Sequence, residues 1–305
     1  MKWHGEKKPQ KRNDLSRSIF WLICIILAFT FWGTKRSAYH THTDNYRTQF
    51  NKQVPSSSHR DNSPKINATS EIPAAKIAKS AYGGLDDSDY QKLAACNFKS
   101  GDAAYVYVNN NHSTLIKNAW KINKVIYSNL DSLNRTSHSN TAFLESRNVA
   151  NDSLRVRQFI NPTGWHSNRQ NAMRTQIYNR GHMIAYSVSA GIDQSGRYNP
   201  NNQSGDQNNI KNLFTQTAFS NQKIQTIFES KVRKALRMGQ KVIFQATPIF
   251  RGNELMARGI NLQAISVNGW LDFNVYIFNV QPGYTFDYAT GRAKVARDFS
   301  VGWVK

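Results

Sequence analysis

QIYNRGHMIAYSVSAG, residues 176–191, sets Asn179, Arg180, Gly181 and His182 directly before an apolar, strand-like run. A strand that only packs a core has no use for an arginine, a glycine and a titratable imidazole at its edge. Taken alone, the cluster also fits a polar turn with a surface histidine, because matches of four residues arise often by chance. The surrounding sequence decides between the two.

Downstream runs an asparagine-rich loop, NPNNQSGDQNNIKN (199–212), and then LFTQTAFSNQ (213–222). A loop of that length inside a domain is functional or disordered. Ile224, Ile227, Phe228, Val232 and Leu236 follow at three- and four-residue steps, and Gly239 comes after a basic last turn. The spacing predicts a helix over that stretch. QKVIFQATPIF (240–250) reads as a strand whose end, at Pro248, lies on an edge or bulge. INLQAISV, the Asn268–Gly269 pair and WLDFNVYIFNV predict a hairpin. Upstream, AAYVYVNNN (103–111) is a short strand ending in a turn, and residues 116–146 read as helical or irregular. Strands and helices mix without βαβ alternation, so the fold class is α+β.

The formal net charge is +21 and the pI near 10.0. From Lys92 onward there are 26 Lys and Arg against 11 Asp and Glu, so the folded part is itself basic. An anionic partner follows: nucleic acid, anionic lipid or a cell-wall polymer. At the N-terminus, Lys7, Lys8, Lys11, Arg12 and Arg17 precede an apolar run bounded by Lys35 and Arg36, which is the pattern of an export signal. The run, residues 19–33, is 15 residues long and spans about 22 Å as a helix, short of a ~30 Å hydrocarbon core. With no Ala-x-Ala cleavage site after it, the reading is an uncleaved membrane anchor through residues 18–34, N-terminus inside, narrowly ahead of a cleaved signal. The expected organisation is a basic N-terminus and anchor at 1–36, a flexible polar stalk at 37–89 and a folded domain at 90–305. Cys24 and Cys96 give that domain no disulfide framework and no cysteine-built zinc site.

Four downstream groups stand out: His182, Asn212, Asn221 and Glu229. Singly, each has a plain structural explanation, such as a helix cap for Asn221 or an exposed partner of Arg233 for Glu229. Together they resemble the DNA/RNA non-specific endonucleases of the ββα-metal fold. NRGHMIAYSVSAG is similar to the DRGH strand end of that family, KNLFTQTAFSNQ to its asparagine-bearing segment, and FESKVRKAL to its helix with a supporting glutamate. The likeness extends to LDSLNRT, NPTGWH, VIFQATPIF and FNVYIFNVQPG, about residues 92–292. It is nearest to the membrane-anchored DNA-entry nucleases and secreted DNases of Gram-positive bacteria.

The resemblance implies a ββα-metal core on a central, mostly antiparallel sheet flanked by helices. It implies hydrolysis of DNA and RNA with a Mg²⁺ or Mn²⁺ cofactor, leaving 5′-phosphates. His182 would be the general base, neutral near pH 7. Asn221 would be the only protein ligand to a metal that keeps its waters, Asn212 would orient His182 or the phosphate, and Glu229 would hold metal-bound water. Asn221 and Glu229 are eight residues apart, about 12 Å along a straight helix, so the last role requires a bend at the helix start. Arg180 would bind phosphate, with Arg135, Arg155 and Arg157 as further backbone contacts. Asn179 stands where the family motif has Asp. If that position works by hydrogen bonding, Asn suffices; if by charge, this is a weakened nuclease, and a surface DNA receptor becomes the rival reading. Oligomeric state is not legible.

Overall fold

The alternating apolar runs after Gly239 build the centre of the molecule. The computed structural model describes residues 80–168 and 175–302. Its strands are β1 (Tyr105–Tyr107), β2 (Lys124–Ile126), β3 (Asn140–Leu144), β4 (Tyr178–His182), β5 (Leu213–Thr217), β6 (Val242–Ile249), β7 (Gly259–Ser266), β8 (Asp272–Phe278), β9 (Tyr284–Asp287) and β10 (Arg292–Val295). Six form one sheet in the order β1-β8-β7-β6-β3-β2, antiparallel throughout. Two helices are long enough to pack on it: α1 (Asp87–Ala95) and α2 (Thr226–Arg237). The fold is mixed α and β with a mostly antiparallel central sheet and few helices, as expected.

Every residue of β6 and β7 is buried, because both faces are covered. Phe244, Leu262, Phe273 and Val275 meet Phe228, Val232 and Leu236 of α2 on one face. On the other, Ile249, Tyr276 and Phe278 meet Tyr90 and Leu93 of α1. The period of two along each strand sorts these sets. Part of the second face is polar yet paired: Gln245 Nε2 donates to Thr141 Oγ1 at 2.9 Å, and Asn261 Nδ2 to Asn274 Oδ1 at 2.8 Å. Burying amides is tolerable only with such partners.

The structure adds strands where the sequence reads as helical or irregular. β3 is buried along its whole length and β2 pairs beside it. A short strand covered on both faces shows no period, so nothing in the sequence marks it as a strand. Pro248 lies inside β6 but beyond the last β3 pair, Asn140↔Ala246, where no neighbour needs its missing N–H. The β7–β8 turn is wider than two residues: Ser266 N donates to Leu271 O at 2.9 Å, bracketing a loop in which Gly269 takes φ +79. Leu85 is already in the core and Asp86 caps α1, so packed chain begins ahead of residue 90. The anchor at 18–34 and nearly all of the stalk lie outside the described residues. Among the described residues no helix is long and apolar enough to cross a membrane.

β4 and β5 form a separate two-stranded ribbon, from Tyr178↔Thr217 to His182↔Leu213. The chain then turns through a π-helical segment, Ser220–Gln225, straight into α2. Asn279, just past β8, fixes this ββα unit to the sheet. Its Oδ1 accepts from Thr217 N at 2.7 Å, while its Nδ2 donates to Thr215 O at 3.0 Å and Ala257 O at 2.9 Å.

Candidate active site

The ribbon and the first turns of the helix enclose a cavity of about 450 Å³, lined in part by Asn179, Arg180, His182, Asn221, Glu229 and Arg155. His182 ends β4. Its Nε2 lies 3.1 Å from Gln207 O, a carbonyl that only accepts, so Nε2 carries the proton and Nδ1 keeps an unprotonated lone pair. The Gln158 amide nitrogen sits 3.4 Å from Nδ1 and 3.3 Å from Nε2. Burial pushes the imidazole down to about 4, the Gln207 bond opposes this, and the Arg155 charge adds to it. The ring is therefore neutral at pH 7.

Asn221 sits inside the π-turn, so it is not a helix cap. Its Nδ2 donates to Gln216 Oε1 at 2.8 Å and its Oδ1 accepts from Asn179 Nδ2 at 2.9 Å. These bonds belong to a run of side-chain amides. Gln176 Nε2 donates to Asn179 Oδ1, Asn179 to Asn221, Asn221 to Gln216, and Gln216 Nε2 to Gln225 Oε1 at 2.9 Å. Gln225 Nε2 then donates to Glu229 Oε1 at 2.8 Å and to the His182 carbonyl at 2.9 Å. Gly181 makes this run possible: a Cβ there would lie 2.3 Å from Gln216 Oε1. The glycine is needed for room, not for a left-handed backbone.

Glu229 is buried, and Arg233 stands 3.9 Å from its Oε2, so it is not an exposed surface pair. Burial raises its pKa, against the Gln225 hydrogen bond and the Arg233 and Arg155 charges. The π-turn supplies the irregularity that the eight-residue spacing demanded. It brings Asn221 and Glu229 to one cavity with Gln225 between them. π-turns inside α-helices recur at functional sites.

Arg180 reaches the same cavity, with Nη2 donating to Asn161 Oδ1 at 2.7 Å and its guanidinium 4.4 Å from the Trp165 ring centre. Partial burial, with help from the Arg157 charge, lowers its pKa. Arg155 lines the cavity and lies over Tyr186, while Arg157 is exposed outside it. Two expected residues are elsewhere. Asn212 is 1% exposed, and its amide is spent on both backbone groups of Ile184, at 2.9 Å to N and 3.0 Å to O. It braces the chain after His182 and has no face toward a phosphate. Arg135 is 5% exposed, bonded to Asp131 at 2.8 Å and to the carbonyls of Gly252 and Glu254. Its guanidinium is used up inside the fold, which removes it from the backbone contacts.

The sequence profile of the DNA/RNA non-specific endonucleases matches residues 113–268, just over half of the chain. The chain belongs to this family. It is a nuclease that hydrolyses phosphodiester bonds. Crystal structures of NucA from Streptococcus agalactiae are similar to it. With a magnesium ion bound, NucA is 27% identical at a TM-score of 0.55, over 68% of this chain and 96% of NucA. With no metal bound, the values are 28%, 0.53, 75% and 100%. Within this endonuclease, residues 179–182 and Asn221 were legible through the likeness of their segments to the family's motifs. Gln158, Gln207, Gln216 and Gln225 were missed, since neutral amides in an amide-rich chain give no signal until their partners are seen.

Proposed function

We propose that this endonuclease is Mg²⁺-dependent, indifferent to base sequence, and acts on DNA and RNA outside the cell. The observation that carries the reading is the gathering of a neutral imidazole, an oriented amide oxygen, a buried carboxylate and two arginines around one cavity. The donor set suits the metal: an amide and a carboxylate offer hard oxygens, fitting an ion that keeps most of its waters. Asn221 would hold it through Oδ1, with Glu229 behind. When bound, Mg²⁺ would supply positive charge to the phosphate and the departing 3′ oxygen.

The chain's own groups do the rest. Arg180 and Arg155 grip the phosphate, the former stiffened by Asn161 and Trp165. His182 Nδ1 takes the proton from the attacking water, and Gln207 keeps the ring in the tautomer this requires. Water oxygen bonds to phosphorus, the bond to O3′ breaks, and the products carry a 5′-phosphate and a 3′-hydroxyl. Asn179 and Gln216 hold Asn221 from either end of its amide, and Asn212 keeps the chain beyond His182 in place. Export through the basic-apolar N-terminus, with the anchor retained or removed, would set this domain on a stalk at the cell surface or release it.

The test uses plasmid DNA with the purified chain, Mg²⁺ and an EDTA control. His182→Ala and Asn221→Ala should each lower cleavage by roughly 10²- to 10⁴-fold while gel retention of DNA persists. Near wild-type cleavage in either variant would remove these assignments. Binding without cleavage by the unaltered chain would turn the reading to a DNA receptor.

A further inference from the structure

Apart from Gln207, the asparagine-rich loop that leads to β5 is not absorbed by the nuclease site, yet it is built around a second cavity. That cavity, about 410 Å³ and open to solvent, is lined by Asp193, Asn202, Gly205 and Asp206 among others. Gly191, Gly196 and Gly205 take φ of +77, +80 and +62, bending the loop against the body of the fold. At Gly196 the approach is so close that a Cβ would lie 1.8 Å from Val125 O.

Asp206 is 7% exposed, and its Oδ2 is buried with no hydrogen-bond partner. The Tyr127 hydroxyl, close enough to feel the Asp206 charge, is a second buried oxygen without a partner. Buried polar atoms are paired almost without exception, so an orphaned carboxylate oxygen on a residue that lines a cavity marks a place for a ligand. Its charge follows from the neighbours. Asp206 receives hydrogen bonds from neutral groups, the Asn209 side chain and the Asn208 backbone, and the charge that acts on it is the negative one of Asp193. Arg197 also lines the cavity, but its Nε is bonded to Ser195 Oγ at 3.0 Å and its charge acts on Asp193. The turn's three hydrogen bonds to Asp193, from Ser195 N, Ser195 Oγ and Arg197 N, all go to Oδ1, leaving Oδ2 for a ligand.

We propose that Asp193 and Asp206 form a divalent-cation site of the calcium class, separate from the nuclease cavity. Two carboxylates, the Asn202 amide and loop carbonyls are the oxygens that Ca²⁺ accepts in irregular geometry, whereas Mg²⁺ demands a near-ideal octahedron. Burial and Asp193 push the Asp206 carboxyl up to about 6. The site would act on the nuclease through one residue. Gln207, next to Asp206, gives its carbonyl to His182, and its side chain holds Val156 N at 3.0 Å and Leu154 O at 3.2 Å. A cation at Asp206 would stiffen the segment that fixes the His182 tautomer.

The experiment is a thermal-unfolding series on the EDTA-treated full chain with Ca²⁺, and with Mg²⁺ for comparison. At a hundredfold excess over Kd, Ca²⁺ should raise the Tm by roughly 5–10 °C, with Mg²⁺ giving a smaller rise. The Ca²⁺ rise should persist in Asn221→Ala and fall by more than half in Asp206→Asn. No rise in the wild type, a rise that Asp206→Asn keeps, or one that depends on Asn221 instead, overturns the site. Terbium emission excited through tyrosine reads the same site without relying on the stability of an Asp206 variant. It should drop in Tyr127→Phe and be displaced by Ca²⁺; emission unchanged in Tyr127→Phe is equally fatal to the proposal.

Discussion

At position 179 the family's aspartate has become an amide that donates to Asn221 Oδ1 at 2.9 Å. Asn179→Asp removes that donor and sets a carboxylate against the amide oxygen, an arrangement that repels until a cation sits between them. Asn179→Asp should therefore need less Mg²⁺ for half-maximal cleavage, by about tenfold if roughly 1.4 kcal/mol of added attraction survives solvent screening, with a saturated rate within a few-fold of wild type. Asn179→Ala should lose rate at every Mg²⁺ concentration, since Asn221 then has one tether instead of two. Cleavage rates over a Mg²⁺ series separate the three proteins. Gly181→Ala should cost about 1–3 kcal/mol by overpacking against Gln216 and should lower activity with it; denaturant midpoints and cleavage rates read both. The sequence showed that residue 181 was glycine within a motif, but only the cross-strand Gln216 explains why.

Among elements, the ββα unit was half legible. The helix showed through its three- and four-residue apolar steps, and β4 through its motif. The π-turn was visible only as a distance that a straight helix could not satisfy, because no residue type marks a π-turn. β2 and β3 were silent for a different reason: one is three residues long and the other is covered on both faces. The tether between unit and sheet was also silent, a single asparagine in an apolar run. Asn279→Leu leaves a buried backbone N–H and two carbonyls without partners, at about 1–3 kcal/mol for each group that finds no substitute. It should destabilise the domain by several kcal/mol in urea unfolding, and should lower cleavage near the midpoint before global unfolding is complete.

For the whole molecule, a net charge of +21 dominates encounter with a polyanion. DNA affinity should fall log-linearly with salt and be nearly the same for unrelated duplexes, and Arg180→Ala should shallow the slope by about one unit. Competition binding across salt concentrations measures this, and a strong preference for one sequence would defeat the non-specific reading. Acid stability has a definite sign as well. His182 sits at about 4 against an ordinary 6.5, so between those values the unfolded chain takes up a proton that the folded chain refuses. Stability from this group is present above 6.5 and is lost as pH falls toward 4. Asp206, raised to about 6 from 3.8, works in reverse, its contribution being lost as pH rises through that range. The difference between wild type and His182→Gln isolates the first effect: the variant should lose less Tm than wild type between pH 7 and pH 5. Charge and family were legible at this scale because both are spread over the chain. The loop's second cavity was not, because its carboxylates, at 193 and 206, meet only once the loop is folded.

The run of amides from Gln176 to Glu229 has a direction. Every link passes a hydrogen from one side chain to the oxygen of the next, and it ends on a Glu229 carboxyl oxygen and on the His182 carbonyl, a group that can only receive. Reversing any single amide would set oxygen against oxygen on one side and hydrogen against hydrogen on the other. The His182 carbonyl at its end thus dictates, three side chains back, which end of Asn221 turns toward Asn179 and the cavity. An asparagine by itself offers donor and acceptor with equal ease; here the choice is made at a distance, by groups that need never meet the substrate. Gln225→Glu, nearly identical in shape, would erase that instruction and leave Asn221 free to present its NH₂.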